Sequence, residues 1–320
     1  MKKFLINVFF FFSLLFLVSK LIGSFDNIDH LYNSNHNIRR IRSIELFDDL
    51  DILFIGNSYT YAGINPEIFD KYGLKTYNLG IATAGPDFYD LILNDYFKRT
   101  RTKPQRIMIL LSPVIFSNLA DDWAAYPMHR YLKYPVSNEN IILKYGKPGK
   151  YPGMLTKSLK KGFTNLILKN KNKMLQNFDI IDRKGFSFDD TVITDDLRKK
   201  NRHLYSSCKS DLLDMKDLDK LLALANLLKH QGIEVVFYEL PANELNTFFT
   251  SDYLESYKKL VNSINNQFAV FRSNIELEQK YYRDLDHLNV FGAEIISENI
   301  ISKLKIVGGE GTFETKQQTY

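Results

Sequence analysis

Short apolar runs, each stopped by small polar or turn residues, recur along this chain. The first, Ile52-Leu-Phe-Ile55, ends abruptly at Gly56-Asn57-Ser58. The second, Thr76-Tyr-Asn-Leu79, breaks into Gly80-Ile-Ala-Thr-Ala-Gly-Pro86, and the third, Arg106-Ile-Met-Ile-Leu-Leu111, stops at Ser112-Pro113. Ile233 to Tyr238, running into Leu240-Pro241, and Phe268 to Phe271 repeat the pattern. Continuous apolar runs of this length, bounded by turn residues, predict strands buried on both faces of a parallel sheet.

Helical spacing fills the intervals. Asn65-Pro66 offers an N-cap followed by Pro at the first helical position, predicting a short helix through Phe69. Phe88, Leu91, Ile92 and Phe97 predict a second helix over Asp87 to Phe97. Met215, Leu218, Leu221, Leu222, Ala225 and Leu228 keep the same period, with Gly232 placed as a C-terminal cap. Further helices are expected over about Tyr253 to Asn265 and Gly292 to about Leu304. Strand and helix in alternation predict an α/β fold, one three-layer domain with a parallel sheet over 49–304.

Three stretches depart from that pattern. Residues 24–48 are polar and without period around Asp26 to Arg42, as expected of a spacer, and 305–320 reads as a frayed tail. The stretch from about 118 to 211 is too long for a structureless loop and is expected to be a mostly helical insertion. It carries Trp123, Tyr126, His129, Arg130 and Tyr131, and then many lysines but no Asp or Glu between Lys144 and Lys173. Leu155, Leu159, Phe163, Leu166 and Ile167 share one helical face there. Such a face either packs on a core beneath solvated lysines or lies on an anionic surface.

The first 23 residues predict a membrane anchor. Lys2 and Lys3 precede an apolar run over 4–22. As a helix that run is about 28 Å long, enough to span a bilayer core. A cleaved signal peptide is the alternative, but no small-x-small site follows, and Leu21, Ile22 and Phe25 occupy its place. With the lysines inside, the domain is expected outside the cytoplasm, periplasmic or extracellular.

Composition narrows the chemistry. At 320 residues, 45% apolar and 25% charged, the chain has an ordinary globular balance. A net charge of +5 without a dense basic block gives no reason to expect nucleic acid as a partner. Cys208 is the only cysteine, which excludes an intrachain disulfide and a cysteine-rich zinc site. No pair of histidines has metal-ligand spacing, so neither a metal nor a cofactor is expected. No GxxxxGK, GxGxxG or GxSxG motif follows a strand.

What remains is a hydroxyl and an imidazole. Ser58 follows a predicted strand at the sheet's carboxyl edge, where ligands of open α/β sheets bind. A hydroxyl there becomes a nucleophile only with a base in reach. His287 is the candidate base, in Asp284-Leu-Asp-His-Leu-Asn-Val-Phe-Gly-Ala293. Three-residue spacing lets Asp284 orient the imidazole and stabilise its charged form. Asp286 is a rival for that role, set aside because adjacent side chains usually diverge.

These residues resemble the SGNH, or GDSL-like, hydrolases. Gly56-Asn57-Ser58-Tyr59-Thr60 is similar to the family's first block, with Asn57 where Asp is more usual. Asn78-Leu-Gly80 through Gly85 resembles the second block, and Asp284-x-x-His287 the last. The resemblance implies a flavodoxin-like fold, Ser58 as nucleophile, His287 as base and then acid, and Asp284 as its support. It also implies an oxyanion hole drawn from Ser58, Gly80, Thr83 and Gly85. Two places differ: Thr83 stands nearest the second-block glycine, and Leu111-Ser112-Pro113 replaces a Gly-x-Asn, the nearest asparagine being Asn118. Asn57, beside the nucleophile, and Trp123, as an aromatic surface for a sugar ring, are the expected substrate contacts.

The resemblance is closest to membrane-anchored members associated with surface polysaccharides. It implies a serine esterase or O-acyltransferase acting on an acyl ester, acetyl foremost, of a cell-surface glycan or of a small molecule. A membrane acyl-donor protein is a further expected partner. The alternative is a catalytically silent, anchored carbohydrate-binding or assembly protein on the same scaffold.

Overall fold

A computed structural model describes residues 36–117, 183–196, 213–241, 249–273 and 275–307, with isolated positions at 3–14 and at 199. Most of the 4–22 run, Trp123, the lysine-rich helical face and the tail from 308 lie outside the described residues. Among the described residues, no helix is long and apolar enough to cross a membrane. Arg39–Val136 and Ile180–Tyr320 make up one compact unit, which holds every element discussed from here on except the first three residues of the opening helix, 36–38.

Five strands form one parallel sheet: β1 Ile52–Gly56, β2 Thr76–Gly80, β3 Arg106–Leu111, β4 Glu234–Glu239 and β5 Ala269–Arg272. Every residue of β1 and β2 is buried, the polar Thr76 and Asn78 of β2 included. The order across the sheet is β2-β1-β3-β4-β5, that of flavodoxin-like doubly wound folds. In this order the chain reverses direction between β1 and β3, and the carboxyl ends of those two strands border the ligand crevice.

Right-handed crossovers then dictate where the helices go. Helix α1 (His36–Ser43) precedes the sheet, and α2 (Ser58–Gly63) and α3 (Pro66–Asp70) connect β1 to β2 on one face. Connections running the other way place α4 (Pro86–Arg99), α5 (Met215–His230) and α6 (Ser251–Asn265) on the opposite face. Helix α7 (Val290–Val307) returns to the first face and packs on α2 and α3.

Helix α2 sits close on the sheet because Gly56 permits it. A Cβ at Gly56 would fall 1.9 Å from Thr60 Oγ1 and 2.7 Å from Leu110 Cβ. The wholly buried Asn78 in β2 fastens the same helix. Its amide nitrogen donates to Thr60 O at 2.8 Å and Ile64 O at 2.7 Å, while its oxygen accepts from Gly80 N at 3.0 Å.

Two expectations change here. The stretch read as a periodless spacer is helical over His36–Ser43, and Arg40 and Ile41 are buried. The basic side chains conceal its inward face in the sequence. Arg40 lies 4.4 Å from the centre of the Tyr61 ring and hydrogen-bonds through Nε to Gly185 O. The last part of the insertion is also integral to the domain. Asn78 N donates to Lys184 O at 2.9 Å, Ser187 N to Tyr61 O at 2.9 Å, and Val290 N to Asp189 O at 2.8 Å. Gly185 has φ +89°, and a Cβ there would meet Asn78 O at 2.0 Å, so only glycine fits. Residues 183–193 thus form a strap from β2 across α2 to the start of α7.

Candidate active site

Ser58 opens α2 directly beyond β1, half-buried at the sheet's carboxyl edge. The turn is built by Asn57, whose Oδ1 accepts from Tyr59 N at 3.0 Å and whose carbonyl accepts from Thr60 N at 3.1 Å. Asn57 is only 4% exposed and serves as the helix cap. The cap thus occupies Oδ1, the acceptor of the side chain from which a substrate contact was expected.

His287 is positioned by the turn that begins at Asp284. Asp284 Oδ1 accepts from His287 N at 2.7 Å and from Asp286 N at 3.1 Å, curling the backbone over three residues. Both oxygens of Asp284 lie 3.0 Å from His287 Nδ1. Asp286 Oδ1 stands at 3.0 Å from the same nitrogen, and Asp286 Oδ2 accepts from Tyr59 OH at 2.9 Å. The rival carboxylate is therefore a partner, since the capped turn folds adjacent side chains onto one side.

The charge follows from that geometry. Burial opposes the imidazolium, but the Asp286 charge and the hydrogen bonds of Asp284 and Asp286 outweigh it and push His287 up to about 10. Burial likewise opposes the Asp284 carboxylate, and the contact with His287 overcomes it, holding Asp284 well below the usual carboxylate range.

His287 rests on the first turn of α2. Tyr59 lies with its ring centre 5.2 Å from the imidazole and Tyr61 at 6.5 Å, nearly parallel at 11°. Nε2 is buried without a hydrogen-bond partner among the described residues. Hence no hydrogen bond joins it to Ser58 here, although the imidazole leans on the turn that carries the hydroxyl. Catalytic hydrogen bonds are often loose in the absence of substrate.

The oxyanion donors need revision. Gly80 is at the end of β2, but its N–H donates to Asn78 Oδ1 at 3.0 Å, and it packs under α2 with Asn57 O close by. Gly80 is therefore a spacer and not a donor. Gly85 caps α4, its carbonyl accepting from Phe88 N and Tyr89 N at 3.0 Å each. Thr83 is different: it is exposed with φ +60°, a backbone conformation suited to glycine and costly for a β-branched residue. Its hydroxyl donates to Ala82 O at 2.7 Å, and no acceptor among the described residues takes its N–H. The Ser58 N–H, at the first helical position, is likewise outside the intrahelical bonds. Trp123 lies outside the described residues.

Asp284, Asp286 and His287 also form a group that could hold a metal ion, with ligand atoms within 4.8 Å of one another. Among the described residues, their contacts to Tyr59 and to the backbone account for the cluster.

No family model matches the sequence, and no curated protein does. Solved structures do match. One, from Desulfitobacterium hafniense DCB-2, is provisionally named a lipolytic protein of the G-D-S-L family; identity is 11%, coverage 78% of this chain and 96% of that one, and TM-score 0.37. Another, from Bacteroides fragilis NCTC 9343, is provisionally named an acylhydrolase, with 12% identity, coverage of 85% and 97%, and TM-score 0.41. A third, from Streptococcus pneumoniae, is provisionally named a platelet activating factor, with 12% identity, coverage of 92% and 99%, and TM-score 0.39. All three TM-scores are low, and the functional reading below rests on this chain's own residues.

Proposed function

We propose that this chain is an SGNH-type serine esterase or O-acyltransferase. The observation that carries the reading is His287, held at Nδ1 by Asp284 and Asp286, with Nε2 unbonded and the ring on the turn opened by Ser58. In the proposed reaction Ser58 Oγ attacks an ester carbonyl while His287 Nε2, in its neutral form, takes the hydroxyl proton. The N–H groups of Ser58 and Thr83 stabilise the oxyanion. His287 then returns the proton to the departing alcohol, leaving Ser58 acylated. Water resolves the acyl-enzyme in a hydrolase, and an acceptor hydroxyl in a transferase. An acetylated cell-surface glycan is the proposed substrate, with the 4–22 run as anchor and the domain outside the cytoplasm.

A second reading has its own support. The imidazole pushed up to about 10, and the lack of a bond from Nε2 to Ser58, suit a silent scaffold that binds a glycan without turnover. A fluorophosphonate probe decides between them. The enzyme reading expects a covalent adduct on wild-type protein, lost in Ser58→Ala. An unlabelled wild type, folded and bearing Ser58, would leave the scaffold.

A further inference from the structure

Asp189 gives each of its three oxygens a different partner. Its carbonyl accepts from Val290 N at 2.8 Å, Oδ1 accepts from Thr191 N at 3.0 Å, and Oδ2 accepts from Arg283 Nη1 at 3.3 Å. The residue belongs to the strap over 183–193, outside both motifs that carry Ser58 and His287. A partly exposed ion pair contributes little to stability. Holding the fold together is therefore a weak reason for this convergence.

The partners share one location. Arg283 immediately precedes the Asp284–His287 turn, and Val290 follows it. Elsewhere on the strap, Ile193 N donates to Tyr282 O at 3.0 Å, and Thr191 O accepts from Asn289 Nδ2 at 3.3 Å. The strap thus grips the turn of the base at both ends. It also reaches the helix of the nucleophile, since Ser187 N donates to Tyr61 O at 2.9 Å. Tyr61 lies one helical turn beyond Ser58, and its ring is nearly parallel to the imidazole of His287. Arg283 completes the circuit. Its guanidinium stands 5.8 Å from the centre of the Tyr61 ring, and its Nε is 3.7 Å from Asp284 Oδ2. The Arg283 side chain is 14% exposed, so the charge that Asp189 meets is largely withdrawn from water.

We infer that Asp189 is a positioning residue for the catalytic pair: through Arg283 it holds the Asp284–His287 turn against the helix that carries Ser58. The inference rests on Ser58 and His287 being nucleophile and base. Those two groups come from opposite ends of the domain's sequence. Asp286 ties their segments together from within, by accepting from Tyr59 OH, and the strap ties them from outside. Asp189 exchanges no proton with the reacting groups. Its effect is on the distance and angle between Ser58 Oγ and His287 Nε2.

Asp189→Asn, Arg283→Gln, their combination and Lys184→Gln test this on the full chain. Asp189→Asn keeps the carbonyl and an amide oxygen for Thr191 N, but removes the charge that faces Arg283. Lys184→Gln is the control, because it breaks the strap's other ion pair, with Asp70 of α3, which involves no residue of the turn. Asp189→Asn should lower kcat on an activated acetyl ester by about tenfold or more, since a misplacement of about 1 Å can cost about 100-fold. KM should change little, and labelling of Ser58 by the fluorophosphonate should slow in proportion. The Tm of Asp189→Asn and of Lys184→Gln should fall alike and by little, while Lys184→Gln keeps the wild-type kcat. The double variant should be no slower than Arg283→Gln alone, because residues acting through one contact do not add. Should Asp189→Asn fold poorly, Arg283→Lys serves instead: keeping the charge, it should recover part of the kcat lost in Arg283→Gln. Equal kcat in Asp189→Asn and Lys184→Gln, with Ser58 labelled at the wild-type rate, overturns the role of Asp189 alone. A loss confined to KM, or losses that multiply in the double variant, does the same. Wild-type protein that is never labelled at Ser58 overturns the nucleophile, and this inference with it.

Discussion

Asp286 stands as close to His287 Nδ1 as Asp284 does, 3.0 Å in each case. One imidazole nitrogen thus meets two carboxylates, and the tyrosine next to the nucleophile, Tyr59, fixes the second of them. The arrangement does more than orient a base. It sets the pH at which that base becomes free.

The pH dependence follows with a definite sign. Burial opposes the charge on His287, but the two carboxylates prevail and raise it from an ordinary value of 6.5 to about 10. A group raised on folding contributes stability fully below its unfolded pKa and loses it as pH climbs through the folded one. The stabilisation should therefore be complete below about pH 6.5 and decline towards pH 10, readable as the Tm difference between wild type and His287→Gln across that window. For turnover the direction is opposite, because only neutral His287 accepts a proton. The kcat/KM profile should rise with pH towards about 10, and Asp286→Asn should move that limb to lower pH. A limb near 6.5 in the wild type would mean that Asp286 does not face the imidazole in solution.

Members of a catalytic unit do not lose activity additively. Ser58→Ala and His287→Ala should each remove most turnover of an activated acetyl ester, and the double variant should be little worse. Asp284→Asn should leave a residue of activity, with Asp286 still beside Nδ1. Undiminished turnover in Ser58→Ala would place the nucleophile elsewhere.

Thr83 offers a prediction about stability. A β-branched residue at φ +60° is strained, by about 1–3 kcal/mol, and glycine relieves the strain at some cost in chain entropy. Thr83→Gly should stabilise the domain by about 1 kcal/mol in urea melts, and since it keeps the N–H, kcat should hold. Destabilisation would show that the Thr83 hydroxyl outweighs the strain.

Asn78 is the fourth test. Its side chain makes three buried hydrogen bonds, two to carbonyls of α2 and its end and one from Gly80 N. Asn78→Ala should cost about 3 kcal/mol, at roughly 1 kcal/mol per bond. Asn78→Asp should be worse, because a carboxylate would face the Thr60 and Ile64 carbonyls with no proton to offer. A drop of less than 1 kcal/mol in either variant would mean that α2 is held mainly by packing.

The strands and the larger helices were legible because burial on both faces leaves continuous apolar runs and burial on one face leaves a period. Helix α7 begins at Val290, two residues before the Gly292 that was expected to open it, since Asn289 Oδ1 accepts from Gly292 N. Helix α2 left no such trace: Ser58-Tyr-Thr-Tyr-Ala-Gly63 is too short for a period and is held by Gly56 and Asn78, which lie outside it. In α1 the buried Arg40 looks like a surface residue by type. The contact between Asp284 and His287 was readable by residue type and spacing. The second carboxylate was not, because the backbone hydrogen bonds of Asp284 decide which way Asp286 turns.

The strap over 183–193 has a consequence for solubility. Strand β2 ends the sheet, and a bare outer strand invites pairing with another molecule. Lys184 takes up the outward N–H of Asn78, and Gly185 presses against the carbonyl of the same residue. Shortening the insertion beyond Arg183 would therefore uncover a template for intermolecular strand addition. The first symptom would be self-association of the folded protein, ahead of any defect in chemistry.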